Sequence, residues 1–171
     1  MNFQFYLEKL IDFKDFIKFK KENKDAFLCS GFFSIDKKAE DNQQHLDYYI
    51  PSLNKMFSFK LDKKPIELMP VENFTMSEEN TPKKIPDNLD FEFNDIEKMI
   101  EDEMKKQKIN KKIEKLLWSL QNRDGKAFLV GTIFISNLGI ISTTIDLDNR
   151  KISKFEKKSF FDFIKVVKKK D

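Results

Sequence analysis

The side chains best suited to chemistry in this sequence are its single thiol and its single imidazole, Cys29 and His45. Cys29 lies in the middle of an apolar run, AFLCSGFFSI. Burial in such a run raises the pKa of a thiol and makes it unreactive. His45 adjoins a polar segment, and no partner at the spacing of a nucleophile–base pair accompanies it. We therefore predict no catalytic residue and no enzymatic activity.

The carboxylates do not form a recognisable acid–base or metal site either. Glu101, Asp102 and Glu103 are consecutive in a predicted helix, where neighbouring side chains point to different faces. Asp146 and Asp148 lack further ligands at a diagnostic spacing. With four glycines there is no GxGxxG or GxxxxGK[ST] loop, and one cysteine excludes an internal disulfide and multi-cysteine zinc sites. We expect neither a metal nor a cofactor.

The composition indicates a folded chain with an unusual basic character. The 171 residues are 40% hydrophobic and 36% charged, which is typical neither of a disordered tail nor of a membrane bundle. The only arginines are Arg123 and Arg150 among 32 basic residues. Proteins that bind nucleic acid usually rely more on arginine for bidentate contacts.

Charge is distributed unevenly along the chain. Residues 1–93 contain 14 lysines against 17 acids, whereas residues 94–171 contain 18 basic residues against 12 acids. This asymmetry would let the two halves dock on each other, or let the C-terminal half meet an anionic partner.

No targeting or membrane-spanning segment is predicted. The N-terminus lacks a basic region ahead of its apolar residues. Residues 127–145 carry no charge, but they divide into two β-branched stretches around Ser136-Asn137-Leu138-Gly139, a pattern that favours a hairpin. With an unpaired cysteine, the expected location is the cytoplasm.

The first half predicts one helix followed by strands. Apolar residues recur at three- and four-residue steps over 4–22, and 26–35 is typical of a buried strand. A polar loop at 36–46 and the breaks around Pro51 and Asp62 separate further strands, which we place at 47–50, 55–61 and 65–69. Residues 70–93 contain three prolines among polar residues and are interpreted as a linker.

The second half predicts a long helix over 94–121, with Asn94 as N-cap, Glu97 completing a capping box and Asp124-Gly125 ending it. Its acids come early and its lysines late, which suits the helix dipole without any ligand. Trp118 is expected to pack between helix and sheet, or else to serve as an exposed anchor for a partner. Strands follow at 126–135, 140–147 and 151–156. In the second of these, Ile141, Thr143 and Ile145 alternate with polar residues, and a final short helix or strand begins at Ser159.

The two halves therefore share a layout, which indicates a duplication. At an offset of 101, Phe16-Ile17-x-Phe19 aligns with Leu117-Trp118-x-Leu120, and Ala26-Phe27-Leu28 aligns with Ala127-Phe128-Leu129. At an offset of 86, Leu61-Asp62 aligns with Leu147-Asp148. The predicted fold class is α+β: two α-β-β-β repeats, 1–69 and 94–171, with antiparallel sheets covered by helices and joined by the 70–93 linker.

The segment Ile145–Ile152 resembles the last hairpin of a PepSY-type domain, which is a helix followed by an antiparallel meander. That hairpin has the pattern Val-Asp-x-x-x-Gly-x-Ile. Asp146 and Ile152 match it, and Arg150 occupies the glycine position. In the first half Ile66 alone is retained. The resemblance implies a non-catalytic binding or inhibitory module, commonly outside the cytoplasm.

These observations favour a non-enzymatic protein-binding or scaffolding module whose partner is another protein or a second copy of the chain. The alternative is a binder of nucleic acid or another anionic surface through the basic C-terminal half. A third hypothesis, an enzyme with a carboxylate-lined pocket between the halves, requires a concave pocket with converging polar groups.

Overall fold

The computed structural model describes residues 2–38, 42–72, 74 and 81–159. These residues form an α+β fold in which one antiparallel sheet of eight strands accompanies three α-helices. The helices are α1 (Phe3–Ile11), α2 (Lys14–Glu22) and α3 (Phe93–Lys106). The strands are β1 (Phe27–Asp36), β2 (Gln43–Ile50), β3 (Lys55–Lys60), β4 (Glu67–Pro70), β5 (Ile113–Arg123), β6 (Lys126–Ile135), β7 (Gly139–Asp146) and β8 (Lys151–Ser159).

The strands lie in the order β4-β3-β2-β1-β5-β6-β7-β8, so each half of the chain forms a four-stranded meander. The α-β-β-β repeat is therefore one strand short, and in the second half the additional strand is β5, within the predicted helix. The two meanders join at the centre, where β1 and β5 pair antiparallel with Phe33 opposite Trp118. One sheet therefore runs through both halves, with β4 and β8 at its edges.

The long helix expected over 94–121 is wrong beyond Lys106. Helix α3 begins at Phe93, after an N-cap Glu92 without a side-chain cap, so Asn94 is not the N-cap. Lys108 has a positive φ of 57°, and β5 follows. The buried residues of β5 recur at every second position: Leu116, Trp118 and Leu120. This alternation buries one face of the strand. Leu116 and Leu120 are also four residues apart, so the same residues fit the spacing of a helix.

Asp124-Gly125 is consequently a hairpin turn and not the end of a helix. Arg123 pairs with Lys126, and the two intervening residues have φ values of 52° and 82°. Two-residue hairpin loops favour such positive φ angles because they match the twist of the strands, and Asp-Gly is a preferred sequence for them.

The helix expected over 4–22 is divided into α1 and α2. Phe13 between them is extended, with φ −80° and ψ 124°, and it packs against the core. Its backbone N–H donates to the carbonyl oxygen of Leu10 at 3.0 Å. Phe13 therefore interrupts the single helix that the apolar spacing predicted.

Some of the other predicted elements agree with the structure, although β2 begins at Gln43, within the predicted 36–46 loop. Strand β6 has the expected bounds, and β7 follows it after a tight turn at Ser136–Leu138, as the hairpin prediction required. Ile141, Thr143 and Ile145 are buried on one face of β7. Within the described residues, no helix is both long and apolar enough to cross a membrane. Strand β8 extends to Ser159, and the helix or strand expected beyond it lies outside the described residues.

Part of the proposed duplication alignment is wrong. The 101-residue offset places helix α2 on strand β5, and it places the start of β1 on β6. The 86-residue offset, in contrast, aligns the β3–β4 turn with the β7–β8 turn. The 70–93 segment is packed over part of its length, because Ile85, Leu89 and Phe91 are buried in the core cluster.

The core lies on one face of the sheet, around the fully buried Phe33 of β1. Its ring lies 5.4 Å from the Tyr6 ring of α1 and 4.8 Å from the Phe93 ring of α3, measured between centroids. Phe3 adds an edge contact at 6.2 Å. Elements from both halves therefore meet on a single central side chain.

Candidate binding surface

The strand register defines a second face of the sheet, opposite the core, which we call the outer face. Leu120, Trp118 and Leu116 of β5 point toward the core, so the alternate residues of β5 and their partners in neighbouring strands occupy the outer face. None of the large apolar residues on the outer face belongs to the contiguous core cluster. They are Phe27, Phe32, Tyr49, Met56, Leu117, Phe128, Val130, Phe134 and Ile140.

The middle of the outer face on β5, β6 and β7 forms an uncharged area, which we call the outer patch. Lys115 and Asp146 lie on the same face at its two ends. The outer patch mixes aromatic and aliphatic side chains with hydroxyl and amide groups. Its ten members are Leu117, Ser119, Gln121, Phe128, Val130, Thr132, Phe134, Ile140, Ser142 and Thr144. Most of them are half-buried, and Ile140 and Thr144 are buried.

One end of the outer patch is bordered by an arginine. The guanidinium of Arg123 lies 6.0 Å from the centroid of the Phe128 ring, and its Nη2 donates to Oε1 of Gln121 at 2.9 Å. The Gln121 amide in turn donates to the Ser119 hydroxyl at 3.1 Å. This chain of contacts fixes the polar groups at that end of the patch.

Beside the patch, β1 and β2 carry a polar cluster of Ser30, Asp47 and His45. The Ser30 hydroxyl donates to Oδ2 of Asp47 at 2.7 Å, and Nε2 of His45 lies 3.8 Å from the same oxygen. The His45 ring stacks on Phe32, with 5.3 Å between centroids and 22° between planes.

These three residue types suggest a catalytic triad, but their arrangement differs from one. In a triad the histidine lies between the serine and the carboxylate and takes the serine proton. Here the carboxylate lies between the serine and the histidine. The hydroxyl is held by Asp47, whose side chain is 14% exposed. The cluster therefore orients a carboxylate and does not activate a nucleophile.

Cys29 lies within the β-bulge that interrupts the β1–β2 register between Leu28 and Ser30. Its predicted burial is confirmed, since the residue is 7% exposed. Sγ donates to the carbonyl oxygen of Asp47 at 3.3 Å. Burial, reinforced by the nearby Asp47 charge, raises the pKa of the thiol to about 12, so the thiol is protonated at neutral pH.

The remaining carboxylates considered in the sequence serve local structure. Asp146 accepts hydrogen bonds from the backbone N–H and the side-chain amide of Asn149, and these bonds lower its pKa. Asp148 is exposed in the adjoining turn. Asp102 and Glu103 form ion pairs with lysines one turn later on α3. No group of three or more potential metal ligands occurs among the described residues.

Trp118 is 1% exposed and lies in the core, so of the two expectations for it the packed one is confirmed. It faces Gly131 of β6 across the strand pair, and Thr143 of β7 flanks the other side of that glycine. The prediction placed Trp118 on a helix that packs against the sheet. In the structure Trp118 lies on strand β5 of the sheet itself.

Several lysines from both halves of the chain lie at one end of the sheet. That end contains the start of β5, the β6–β7 turn and the last residues of β8. The α3–β5 connection and the β1–β2 connection line an open groove there, together with Glu97, Glu101 and Glu114. The lysines of this groove are Lys37, Lys38, Lys105, Lys111 and Lys112.

Sequence reasoning did not identify the outer patch. The alternation within β7 was visible, but the apolar character of the second face depends on which residues of β5 and β6 lie beside it. A signal was present in β6, where AFLVGTIF is apolar at nearly every position, as in strands with two apolar faces.

Comparison with known proteins adds a fold relationship. No family model matches the chain, and no curated protein matches it. Among solved structures, the chain is similar to a putative lipoprotein from Clostridium difficile 630. The TM-score is 0.52 at 16% sequence identity, over 84% of this chain and 90% of that chain. At this level of identity the likeness concerns the fold alone.

Proposed function

We propose that this protein is a non-catalytic binding module that holds an apolar segment of a partner protein against the outer patch. The observation that carries the proposal is the second apolar face of the sheet. Sheets with one solvated face normally place polar residues there, whereas this face presents Leu117, Val130 and Phe134. Apolar surface of this kind, bordered by polar groups, is typical of interaction sites.

The use of polar groups around the patch supports binding rather than catalysis. Ser30 and His45 both approach one carboxylate, and the Cys29 thiol is protonated and buried. The open groove at the lysine-rich end contains Glu97, Glu101 and Glu114, but one of these already bonds Lys37. Glu97 is thereby engaged in an ion pair, whereas acid–base catalysis requires free carboxylates.

The chemistry of the outer patch indicates the kind of partner. Its ten side chains carry no charge, so a charge placed over the middle of the patch would lose hydration without a partner in contact. Charged residues lie around it, at Lys115, at Asp146 and along β8. Aromatic and aliphatic side chains would fit between Leu117, Val130 and Phe134, and backbone or side-chain amides would bond the adjoining hydroxyls. The partner segment is therefore expected to be apolar and uncharged.

A tandem organisation is part of the same proposal. Each half runs from helix to a four-stranded meander, and the first strand of each meander pairs with the other at the centre. We place the repeats at 1–69 and 94–171, with 70–93 between them. This layout supports the PepSY-type resemblance. So does Arg150, whose φ of 48° is a conformation that the family's glycine at this position adopts without strain.

Site-specific photo-crosslinking tests the proposal. A benzophenone amino acid replaces Val130 in the outer patch, and in a matched variant it replaces Ile17, an exposed apolar residue of α2. In extracts of the source organism we expect a protein adduct at Val130 and none at Ile17. A second substitution, Leu117→Lys, should abolish the Val130 adduct because it introduces a charge beside it.

Two outcomes would contradict the proposal. One is an adduct that forms equally at both positions, or that survives Leu117→Lys in a variant with unchanged circular dichroism. The other is an adduct with twice the mass of the chain, which would identify a second copy as the occupant.

A further inference from the structure

A second surface with a separate character lies at the lysine-rich end of the sheet. The β6–β7 turn there carries Leu138, whose side chain is 64% exposed. Asn137 and Leu138 have φ values of 66° and 57°. This left-handed conformation is unfavourable for a leucine and costs little for a glycine. The turn therefore holds an apolar side chain in solvent at a position where neither folding nor core packing requires it.

Lysines surround this leucine. The turn is bonded to the α3–β5 connection in both directions: the Ser136 N–H donates to the carbonyl oxygen of Lys112 at 2.8 Å, and the Lys112 N–H donates to the Ser136 hydroxyl at 3.2 Å. Leu138 shares a cavity of about 310 Å³ with Lys111, Lys157 and Lys158.

Several of these charges are available for a partner. Within the described residues, Lys111, Lys112 and Lys157 form no ion pair with an acid, whereas Lys158 pairs with Glu156 at 3.6 Å. The adjoining groove adds Lys38 on the β1–β2 side, together with the acids Glu101 and Glu114. The end of the sheet is thus basic around an exposed leucine.

We propose that this end of the sheet binds an anionic lipid surface, with Leu138 inserted at the interface and Lys111, Lys112 and Lys157 on the head groups. An exposed apolar side chain within a ring of lysines matches the two forces that act at a membrane surface, apolar insertion and attraction to acidic lipids. Leu138 lies on the β6–β7 turn, and the hydrogen bonds between Ser136 and Lys112 hold the lysines of the α3–β5 connection beside it.

The same features favour a lipid surface over nucleic acid. Nucleic-acid recognition draws on arginine for bidentate contacts and on aromatic rings for stacking. The residues that surround Leu138 are lysines, with Ser136, Asn137, Ile135 and Gly139. An aliphatic side chain at the centre of the cluster has no role in phosphate contacts, whereas it has one at a lipid interface.

Co-sedimentation with vesicles tests this inference on the full chain. The probes are vesicles of phosphatidylcholine alone and vesicles of phosphatidylcholine mixed with phosphatidylserine. We expect binding to the mixed vesicles that falls steeply as salt is added, and little binding to the neutral ones. Lys111→Glu combined with Lys112→Glu should weaken binding about tenfold or more, since it replaces attraction by repulsion.

Matched variants at the other end of the sheet control for charge and for exposed leucine. Lys24→Glu with Lys55→Glu makes the same charge change, and Leu53, which is 53% exposed, lies on the β2–β3 turn. Leu138→Ser should weaken vesicle binding severalfold while Leu53→Ser leaves it unchanged. Leu138→Gly should weaken it too without destabilising the fold, because glycine suits the left-handed turn.

Three outcomes would overturn the inference. Equal losses in the control and test variants would assign binding to net charge alone. Absence of binding to the mixed vesicles at low salt would remove the lipid surface. Binding to single-stranded DNA that depends on Lys111 and Lys112 but is unaffected by Leu138→Ser, without vesicle binding, would identify nucleic acid as the partner.

Discussion

Gly131 lies directly opposite Trp118 in the β5–β6 pair, and the indole occupies the space that any other residue at position 131 would need. A Cβ on Gly131 would lie 2.6 Å from Cε3 of Trp118 and 2.9 Å from Cγ2 of Thr143. Gly131→Ala should therefore lower the free energy of unfolding by about 1–3 kcal/mol through overpacking. Urea unfolding followed by tryptophan fluorescence measures this change.

The overpacking explanation has its own control. In a Trp118→Leu background, where the indole is absent, Gly131→Ala should lower the free energy of unfolding clearly less than it does in the native chain. Both unfolding curves are then followed by circular dichroism. Equal costs in the two backgrounds would show that the loss arises from the strand backbone and not from the indole.

Gly125 presents the opposite case, a glycine required by backbone conformation alone. It has φ 82° in the β5–β6 turn, and a Cβ at this position would meet no atom within 4 Å. Gly125→Ala should lower the free energy of unfolding by about 1 kcal/mol, because the left-handed conformation is costly for alanine. Gly125→Asn should restore most of the stability, since asparagine tolerates this conformation, and thermal unfolding of both variants checks the difference.

Phe33 connects the elements of both halves, and its removal should affect the whole molecule. Phe33→Ala deletes a fully buried ring that contacts Phe3, Tyr6 and Phe93, and we expect a loss of about 3–5 kcal/mol. Phe32→Ala, on the outer face of the same strand, should cost much less because Phe32 is only half-buried. Two separate unfolding transitions in Phe33→Ala would argue against a shared core.

Cys29 should make the protein less stable at alkaline pH. Its pKa is about 12 in the fold and about 8.5 in an unfolded chain. Above pH 8.5 the unfolded chain loses the thiol proton while the folded chain keeps it. The stability due to the neutral buried thiol is therefore complete below pH 8.5, and it falls as the pH rises toward 12.

Comparing Cys29→Ala with the native chain isolates this contribution. The stability of the variant should decline less between about pH 8 and pH 10, because alanine has no proton to lose. Urea unfolding at several pH values provides the comparison. The rate at which the native thiol reacts with a disulfide reagent should be slow, because the thiol is buried and protonated. If the free energy of unfolding falls equally with pH in both proteins, the thiol is not the cause of the alkaline loss of stability.

The strands of this fold were more predictable from sequence than the helices. Residues 126–135 and 139–146 are continuous β-branched or alternating stretches with clear turn residues between them. Over 113–120 the apolar residues satisfy both a helical and an alternating period, and the lysines before them continue the helical pattern. The sequence Asp124-Gly125 was the local signal for a hairpin, which is the feature that separates the two interpretations.

The candidate surfaces were less predictable because they depend on pairing between distant segments. Leu117 and Val130 each occupy an ordinary position in a strand, and they become parts of one patch only through the β5–β6 register. Leu138 was included in the predicted turn, but its exposure depends on the positive φ that the turn adopts. The burial of Cys29, in contrast, follows from its immediate neighbours, and it was predicted correctly.

The pairing of β1 with β5 constrains how the molecule is made. Residues 27–36 can complete their hydrogen bonds on that side only after residues 113–123 have left the ribosome. Contacts between such distant segments form late and slow the folding of a sheet. During synthesis β1 is therefore an unpaired edge of the first meander, although it lies at the centre of the complete sheet. This strand is the place where a chaperone or a second nascent chain would bind.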